Sequence, residues 1–366
     1  MMHIAMFING EHYAGAERVQ DILVESLREN QRFSVSYVSV FNGAFKDRAN
    51  LEGVNVFYLA CSGLISQILS FRKIFKKNKF DLIHCHTPRT LLICGVISFV
   101  SGVRYVYHMH SPALHCGNSY LVNRINFLVE FFFARRAERV VCVSDAIRSH
   151  AEKYLGLTSN TSTVYNGVPA LPHSKVKQFS GFSFRVAMVA LFRPRKGLDD
   201  LLHAISLFND RGFGKKLTLD LIGGFESKEY EIFIDELISR LGLVDYVNKV
   251  GFSNDPLLYA IEADYLVLPS KQGEGLPMVI LEALSSGLPV ITTEVEGNVE
   301  AIKNGFNGFV CAPKNSASIF QSLQHAYSDE SIYESLSENC LHFFNSRFSS
   351  VVMCKRMEEI YVKPQV

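Results

Sequence analysis

Residues 263–300 read ADYLVLPSKQGEGLPMVILEALSSGLPVITTEVEGNVE, and the order of elements in this stretch decides the fold. The run Tyr265–Leu268 is short, apolar and bounded by polar residues, as a strand buried on both faces of a parallel sheet must be. A polar loop containing Gly273 and Gly275 follows, then a helix-length apolar segment, Gly275–Ser286, then a second short run, Pro289–Thr292. Strand, loop, helix and strand make one βαβ unit, in which ligands sit at the carboxyl ends of the strands.

The same alternation extends in both directions. Toward the N-terminus it passes Asp255–Ile261, Val247–Phe252, Lys228–Leu241, Thr218–Ile222 and Gly197–Phe208 to Arg185–Leu191. It occurs separately in His3–Asn9, Ala16–Glu29, Val35–Val40, Asp81–His86, Thr90–Ser101, Arg104–His110, Val140–Val143 and Asp145–Tyr154. Between the two series, Asn166-Gly167-Val168-Pro169 and the stretch up to Gly181 break both periodicities. The fold predicted is α/β, with two Rossmann-like domains whose parallel sheets face a central cleft. Residues 1–170 form the first domain, 171–345 the second, and 346–366 a C-terminal segment read as a helix over Phe348–Tyr361. The linker is placed near residues 168–182.

At 366 residues the chain suits two domains, and Lys+Arg 37 against Asp+Glu 36 gives a formal charge of +1. A field that weak does not gather nucleic acid, so no nucleic-acid partner is expected. The eight cysteines form no C-x-x-C pair, as reduced thiols in a cytosol would be arranged, and a cytoplasmic location is expected. Met1–Gly10 reads as a first strand rather than a signal peptide. Asn55–Phe71 and Thr90–Val103 fall short of the ~20 apolar residues a spanning helix needs.

Two carboxylates stand out: Glu274 in the loop and Glu282 about two helical turns further on. A carboxylate accepting from both hydroxyls of a ribose is a common way to hold a nucleotide. The amides of Gly275 and Leu276 open the helix and favour a diphosphate, although Pro277 has no N–H to give. In the loop Leu191-Phe192-Arg193-Pro194-Arg195-Lys196-Gly197, three cations follow the first strand of the second sheet, and Lys196 is the preferred diphosphate ligand. Cations aimed at a departing diphosphate lower the barrier without a metal. No Asp lies two positions from another Asp, so the paired-Asp motif of metal-using transferases is missing, and neither metal nor cofactor is expected.

Histidines end two strands as His84-Cys85-His86 and His108-Met109-His110. Alternation puts each pair on one sheet face. Zinc held by these residues with His115 and Cys116 lacks ordered spacing, so His84 and His108 are expected to pack within the sheet. His110, followed by Ser111-Pro112, is the candidate for sugar contact or acid–base support. Gly15, in Asn9–Glu17, either lets the backbone approach a ligand closely or simply serves a tight turn.

These residues together resemble the retaining glycosyltransferase family 4, the glycosyl transferase group 1 family with the GT-B fold. The resemblance rests on Ala14–Glu17, Asp81–His86, His108–His110, Val143-Ser144, Asn166–Val168, Lys196-Gly197, Leu221–Gly224, Val250-Gly251-Phe252 and, above all, Glu274 through Glu282, which looks like the family's E-x7-E signature. It implies that Glu274 contacts the donor sugar, Glu282 the ribose, Lys196 the diphosphate and Gly15 the phosphates or acceptor side. Gly251 and Phe252 join the donor site, and His110 matches the cleft histidine. The family's phosphate-binding Arg falls at or beside Leu191, so Arg193 or Arg195 replaces it, and Arg193 is preferred.

The resemblance further implies that residues 1–170 are the acceptor-binding domain, 171–345 the nucleotide-sugar donor-binding domain, and 346–366 a helix crossing back to the first domain. It also implies that anomeric configuration is retained, with the leaving phosphate helping to deprotonate the acceptor. The expected partners are a nucleotide sugar, taken as a UDP-sugar, and a glycan or lipid-linked acceptor in lipopolysaccharide, capsule or exopolysaccharide synthesis, with peripheral contact at the cytoplasmic face of the inner membrane. Two segments mix aromatics with cations as interfacial helices do, Phe71–Lys77 and Phe127–Arg136. The first reads equally well as a solvated face, and Phe127–Phe133 is expected in the core. The alternatives weighed are a non-hydrolysing nucleotide-sugar 2-epimerase, which would make epimer without acceptor, and a non-catalytic nucleotide-sugar-binding partner.

Overall fold

A computed structural model describes residues 1–11, 15–43, 45, 53–59, 63–112, 120–171, 176 and 184–362. The expectations at Ala14, Cys61, His115 and Cys116, and most of the 168–182 linker, lie outside them. The chain divides into two compact units, Met1–Gly167 with Ser350–Val366, and Val168–Ser349.

The first unit holds β1 (Met2–Ile8), β2 (Phe33–Ser39), β3 (Asn55–Tyr58), β4 (Leu82–Cys85), β5 (Arg104–Met109), β6 (Arg139–Cys142) and β7 (Thr161–Thr163). They form a seven-stranded sheet in the order β3-β2-β1-β4-β5-β6-β7, every pair parallel. The second unit holds β8 (Phe184–Val189), β9 (Leu217–Ile222), β10 (Val247–Gly251), β11 (Tyr265–Leu268), β12 (Val290–Thr293) and β13 (Gly308–Cys311), ordered β10-β9-β8-β11-β12-β13 and again parallel. The fold is two Rossmann-like α/β domains, and no helix of the described residues is long and apolar enough to cross a membrane.

Strand order reverses between β1 and β4 in one sheet and between β8 and β11 in the other. Loops leaving two such strands diverge to opposite faces, which opens a crevice at their carboxyl ends. In the second unit the loops at that crevice are 190–197 and 269–277, so both stretches singled out in the sequence meet there. The crevice stands on a dry core in which Phe184, Leu201, Ile205, Phe208, Leu219 and Tyr265 are wholly buried. Full burial contributes about 1.5–3 kcal/mol for each aliphatic or aromatic side chain.

The helix ends follow local chemistry. The Thr87 hydroxyl accepts from the Thr90 amide ahead of Pro88–Ser101, and Ser144 and Ser227 cap Asp145–Leu155 and Lys228–Arg240 in the same way. Gly102, Gly156 and Gly212, all at positive φ, end helices.

One expectation is corrected. Phe127–Phe133 does not pack in the core: in the helix Tyr120–Phe133 only Glu130 is buried, and Phe132 is exposed. Phe71–Lys77, within the helix Leu64–Asn78, buries Phe71 against Phe7 and presents Arg72, Lys73, Lys76 and Lys77 to solvent.

Candidate functional site

The second unit's crevice is built on two close backbone approaches. The turn Pro194–Lys196 ends at Gly197, whose φ is 74° and whose missing side chain leaves room for the Pro269 carbonyl; a Cβ there would lie 2.1 Å from that oxygen. The Lys271 amide donates to the Arg195 carbonyl at 2.7 Å, which laces the loop after β8 to the loop after β11.

This lacing brings Lys196 onto Glu274, with Nζ 2.5 Å from Oε1. The same oxygen accepts from the Ser270 hydroxyl at 2.6 Å and lies 3.6 Å from the Arg195 guanidinium. Glu274 is buried, and Lys196 is largely so. Burial alone would raise the Glu274 carboxyl, but the Lys196 ammonium and then the Arg195 guanidinium outweigh it and hold the group below the usual carboxylate range. Burial pulls the Lys196 ammonium below its ordinary value, with Glu274 opposing. Two cations therefore converge on one carboxylate at a sheet switch point.

Arg193 points elsewhere. Its guanidinium pairs with Glu226 at 3.1 Å, and its Nε is buried without a hydrogen-bond partner. Glu226 lines a pocket of about 400 Å³ together with Phe192, Gly223, Gly224, Lys249, Gly251 and Phe252. Gly223, at φ 132°, packs against Ala190, where a Cβ would stand 1.9 Å from the carbonyl oxygen. Gly251 has positive φ, and Phe252 is largely exposed on the pocket wall. The hollow lies at the carboxyl ends of β9 and β10, the end at which open α/β sheets hold ligands, with an aromatic side chain on its wall.

Glu282 is buried in the helix Met278–Ser285. Gly275 and Leu276 are buried just before that helix, and the Gly275 carbonyl is so close to Gly297 that a Cβ on Gly297 would lie 1.9 Å from it.

Two residues of this site were not singled out from sequence. Ser270 stands four residues before Glu274, one turn's spacing that carries no meaning in a loop. Glu296, at φ 20°, offers its carboxylate to the amides of Gly273, at 3.1 Å, and Glu274, at 3.3 Å. Its role comes from a backbone turn that no residue pattern announces.

In the first unit, β4 and β5 carry four imidazoles on one sheet face. His84 and His108 are wholly buried, His86 nearly so, and His110 is half-buried. His84 Nδ1 lies 2.7 Å from the Tyr361 hydroxyl, and His86 Nδ1 lies 3.0 Å from His110 Nε2. Burial pushes His110 down to about 4, and burial together with the His110 charge pushes His84 down to about 3. The four rings are therefore neutral at pH 7, and each is a hydrogen-bonding group rather than a cation. Ligand atoms of His84, His86 and His108 lie within 4.8 Å of one another, the one such group of the described residues able to hold an ion. Gly15 is exposed and opens the helix Gly15–Glu29. A larger hollow, of about 630 Å³, lies beside Arg104 and Asn160 at the amino ends of the strands, opposite the end where open α/β sheets hold ligands.

The comparisons with known proteins follow the same division of the chain. Residues 13–170 match the family described as Glycosyltransferase Family 4, and residues 173–342 match Glycosyl transferases group 1. Over its whole length the chain is similar to the UDP-Gal:alpha-D-GlcNAc-diphosphoundecaprenol alpha-1,3-galactosyltransferase of Escherichia coli, with 24% identity over 95% of this chain and 94% of that one. It is also similar to the capsular polysaccharide biosynthesis glycosyltransferase CapM of Staphylococcus aureus, with 25% identity over 81% and 80% of the two chains. The solved structure of HepE from Anabaena, in complex with UDP and glucose, superposes with a TM-score of 0.83 at 25% identity, covering 99% of each chain. The fold and the two matches define a GT-B glycosyltransferase. The chain belongs to the family that the group 1 and family 4 descriptions together name.

Proposed function

We propose that the chain transfers a sugar, with retention of anomeric configuration, from a UDP-sugar to a glycan or lipid-linked acceptor in bacterial surface polysaccharide synthesis. The observation that carries this reading is the convergence of Lys196 and Arg195 on Glu274 at the switch point of the second sheet. The galactosyltransferase of Escherichia coli, the capsular polysaccharide enzyme of Staphylococcus aureus, and the UDP and glucose held by HepE support the choice of donor and acceptor class.

In this reading the nucleobase lies against Phe252 and Gly251, the Glu282 carboxylate accepts from the ribose hydroxyls, and the diphosphate takes Lys196 and Arg195 with the amides of Gly275 and Leu276. Arg195, not Arg193, replaces the cation missing at Leu191, because Arg195 shares the Glu274 carboxylate with Lys196 while Arg193 is turned to Glu226. The anomeric carbon–oxygen bond breaks, its electron pair going to the diphosphate. The acceptor oxygen bonds that carbon from the same face, and the acceptor proton passes to the departing phosphate oxygen. Lys196 and Arg195 stabilise the charge that develops on the leaving group, so transfer needs no metal. Glu274 holds the donor sugar's hydroxyls, and neutral His110 is a hydrogen-bonding group for a sugar hydroxyl. Gly15 keeps the start of its helix open to phosphate or acceptor. A lipid-linked acceptor places the protein peripherally on the cytoplasmic membrane face.

The test is a thermal-shift panel of nucleoside diphosphates and nucleotide sugars, followed by turnover with lipid-extract acceptors. A donor at about 100 times its Kd should stabilise the protein by about 2.7 kcal/mol. Loss of donor sugar should require acceptor, and the product should keep the donor's anomeric configuration. Epimer formed from donor alone, or an inverted product, would overturn the proposal.

A further inference from the structure

The helix Tyr120–Phe133 is built inside out. Leu121, Ile125, Leu128 and Phe132 recur at i, i+4, i+7 and i+11, the spacing by which an amphipathic helix gathers its apolar residues on one face. In a water-soluble domain that stripe faces the sheet. Here it faces solvent, the four side chains being 68%, 52%, 51% and 57% exposed. The residue the helix does bury is Glu130, whose carboxylate accepts from the Tyr107 hydroxyl of β5 at 2.6 Å. A buried carboxylate tied to the sheet fixes the rotation of the helix, so the outward stripe is held in place.

The neighbouring helix, Pro88–Ser101, continues the pattern. Its Gly95 packs against Phe133, where a Cβ would lie 2.0 Å from the ring, and one turn further on Phe99 is 84% exposed. Large contiguous apolar exposure marks an interaction surface rather than chance, whereas single exposed leucines do not.

Charge identifies the occupant. The helices Leu64–Asn78, Pro88–Ser101 and Tyr120–Phe133 pack side by side. Across all three the only carboxylate is the buried Glu130, while Arg72, Lys73, Lys76, Lys77 and Arg124 are exposed. Just beyond the third helix, the exposed Arg135 lies over the Phe131 ring at 3.7 Å, its stem along apolar surface and its charge outward. A chain of net charge +1 has thus collected cations around this outward apolar stripe. Apolar side chains flanked by cations with no acid fit the interface of a bilayer containing anionic lipid.

We propose that this face docks on an anionic phospholipid bilayer, with Leu121, Ile125, Leu128 and Phe132 entering the headgroup–acyl boundary and the surrounding cations meeting lipid phosphates. It deepens the peripheral placement proposed above by naming the surface and the lipid charge that holds it. Its test needs neither donor nor acceptor, so it stands or falls separately from the transfer reaction.

The experiment is flotation of the full chain with vesicles of phosphatidylcholine alone, or with about one-third phosphatidylglycerol. The wild type should bind the anionic vesicles at least tenfold more tightly, with binding weakened by salt. Ile125→Glu/Leu128→Glu/Phe132→Glu should lose this binding at least tenfold while its thermal shift with UDP is unchanged. Lys73→Glu/Lys76→Glu/Lys77→Glu should lose the preference for phosphatidylglycerol. Three outcomes overturn the proposal: no preference for anionic vesicles, equal binding by the stripe variant, or a wild-type dimer in sedimentation that the stripe variant converts to monomer. The last would show that a second copy covers the face.

Discussion

The Lys196–Glu274 pair is the point at which the structure makes its most quantitative demand. Nζ and Oε1 are 2.5 Å apart, with the side chains only 14% and 7% exposed. Removing one member of a buried pair costs about 3–5 kcal/mol, because the other is left charged and desolvated. Glu274→Gln strands Lys196 beside Arg195, and its cost has a ceiling: keeping a lysine neutral at pH 7 against an ordinary value near 10.5 costs about 5 kcal/mol. The glutamine still accepts from Ser270, so a loss of about 3 kcal/mol is expected. Lys196→Met leaves Glu274 with Ser270 and Arg195 and should cost about 2 kcal/mol. The double variant should cost about 2 kcal/mol, giving a coupling energy of about 3 kcal/mol.

Chemical denaturation followed by circular dichroism measures each corner of this cycle, and a UDP titration runs beside it. Lys196→Met should weaken UDP binding at least tenfold, whereas Glu274→Gln should leave it within about threefold of the wild type or tighten it, since a negative charge leaves the neighbourhood of the cations. Both single variants should lose sugar transfer. Stability effects that add to within about 0.5 kcal/mol would refute the coupling, and a UDP affinity untouched by Lys196→Met would remove that lysine from the donor site.

Four further outcomes are expected. Arg195→Ala should weaken UDP binding about tenfold, the worth of one charge-assisted hydrogen bond, and Arg193→Ala by less than half of that in free energy; isothermal titration decides between them. Gly197→Ala should destabilise the protein by at least about 2 kcal/mol and reduce transfer, because a side chain at φ 74° also meets the Pro269 carbonyl; a melting temperature equal to that of the wild type would contradict the close approach. Acidification should favour unfolding between pH 6.5 and about 4. Unfolded histidines take up protons near 6.5, whereas folded His110 does so only near 4 and folded His84 near 3, so the unfolded state binds more protons throughout that window. Each histidine adds about 1.4 kcal/mol per pH unit, and His84→Asn should flatten the measured slope. Dialysis against a chelator should leave transfer unchanged, and activity restored only by an added divalent ion would contradict leaving-group stabilisation by cations alone.

The alternation of short apolar runs with helix-length segments made both parallel sheets legible, because strands buried on two faces have no polar positions to blur the signal. The placement of Glu274 and Lys196 on two strand-end loops of the second sheet was also legible, because each loop follows a short apolar run that reads as a buried strand. Other features were hidden for physical reasons. Arg193 and Arg195 are two residues apart in one loop, and only the turn Pro194–Lys196 decides which faces Glu274. Glu296 reaches two amides through a left-handed backbone that Glu rarely adopts. The helix Tyr120–Phe133 misled because hydrophobic periodicity reports which residues share a face, not which way that face is turned.

The first unit is assembled from two stretches of the polypeptide separated by the whole second unit. Besides Tyr361 on His84, Glu358 accepts from Asn30 at 3.0 Å and Met353 sulfur lies 3.1 Å from the Gly167 amide. On the ribosome these partners follow Val168–Ser349, so the N-terminal sheet waits with His84 lacking its Tyr361 partner while that segment is synthesised. The usual order of domain completion is thereby reversed: the unit Val168–Ser349 has all its residues before the first unit does.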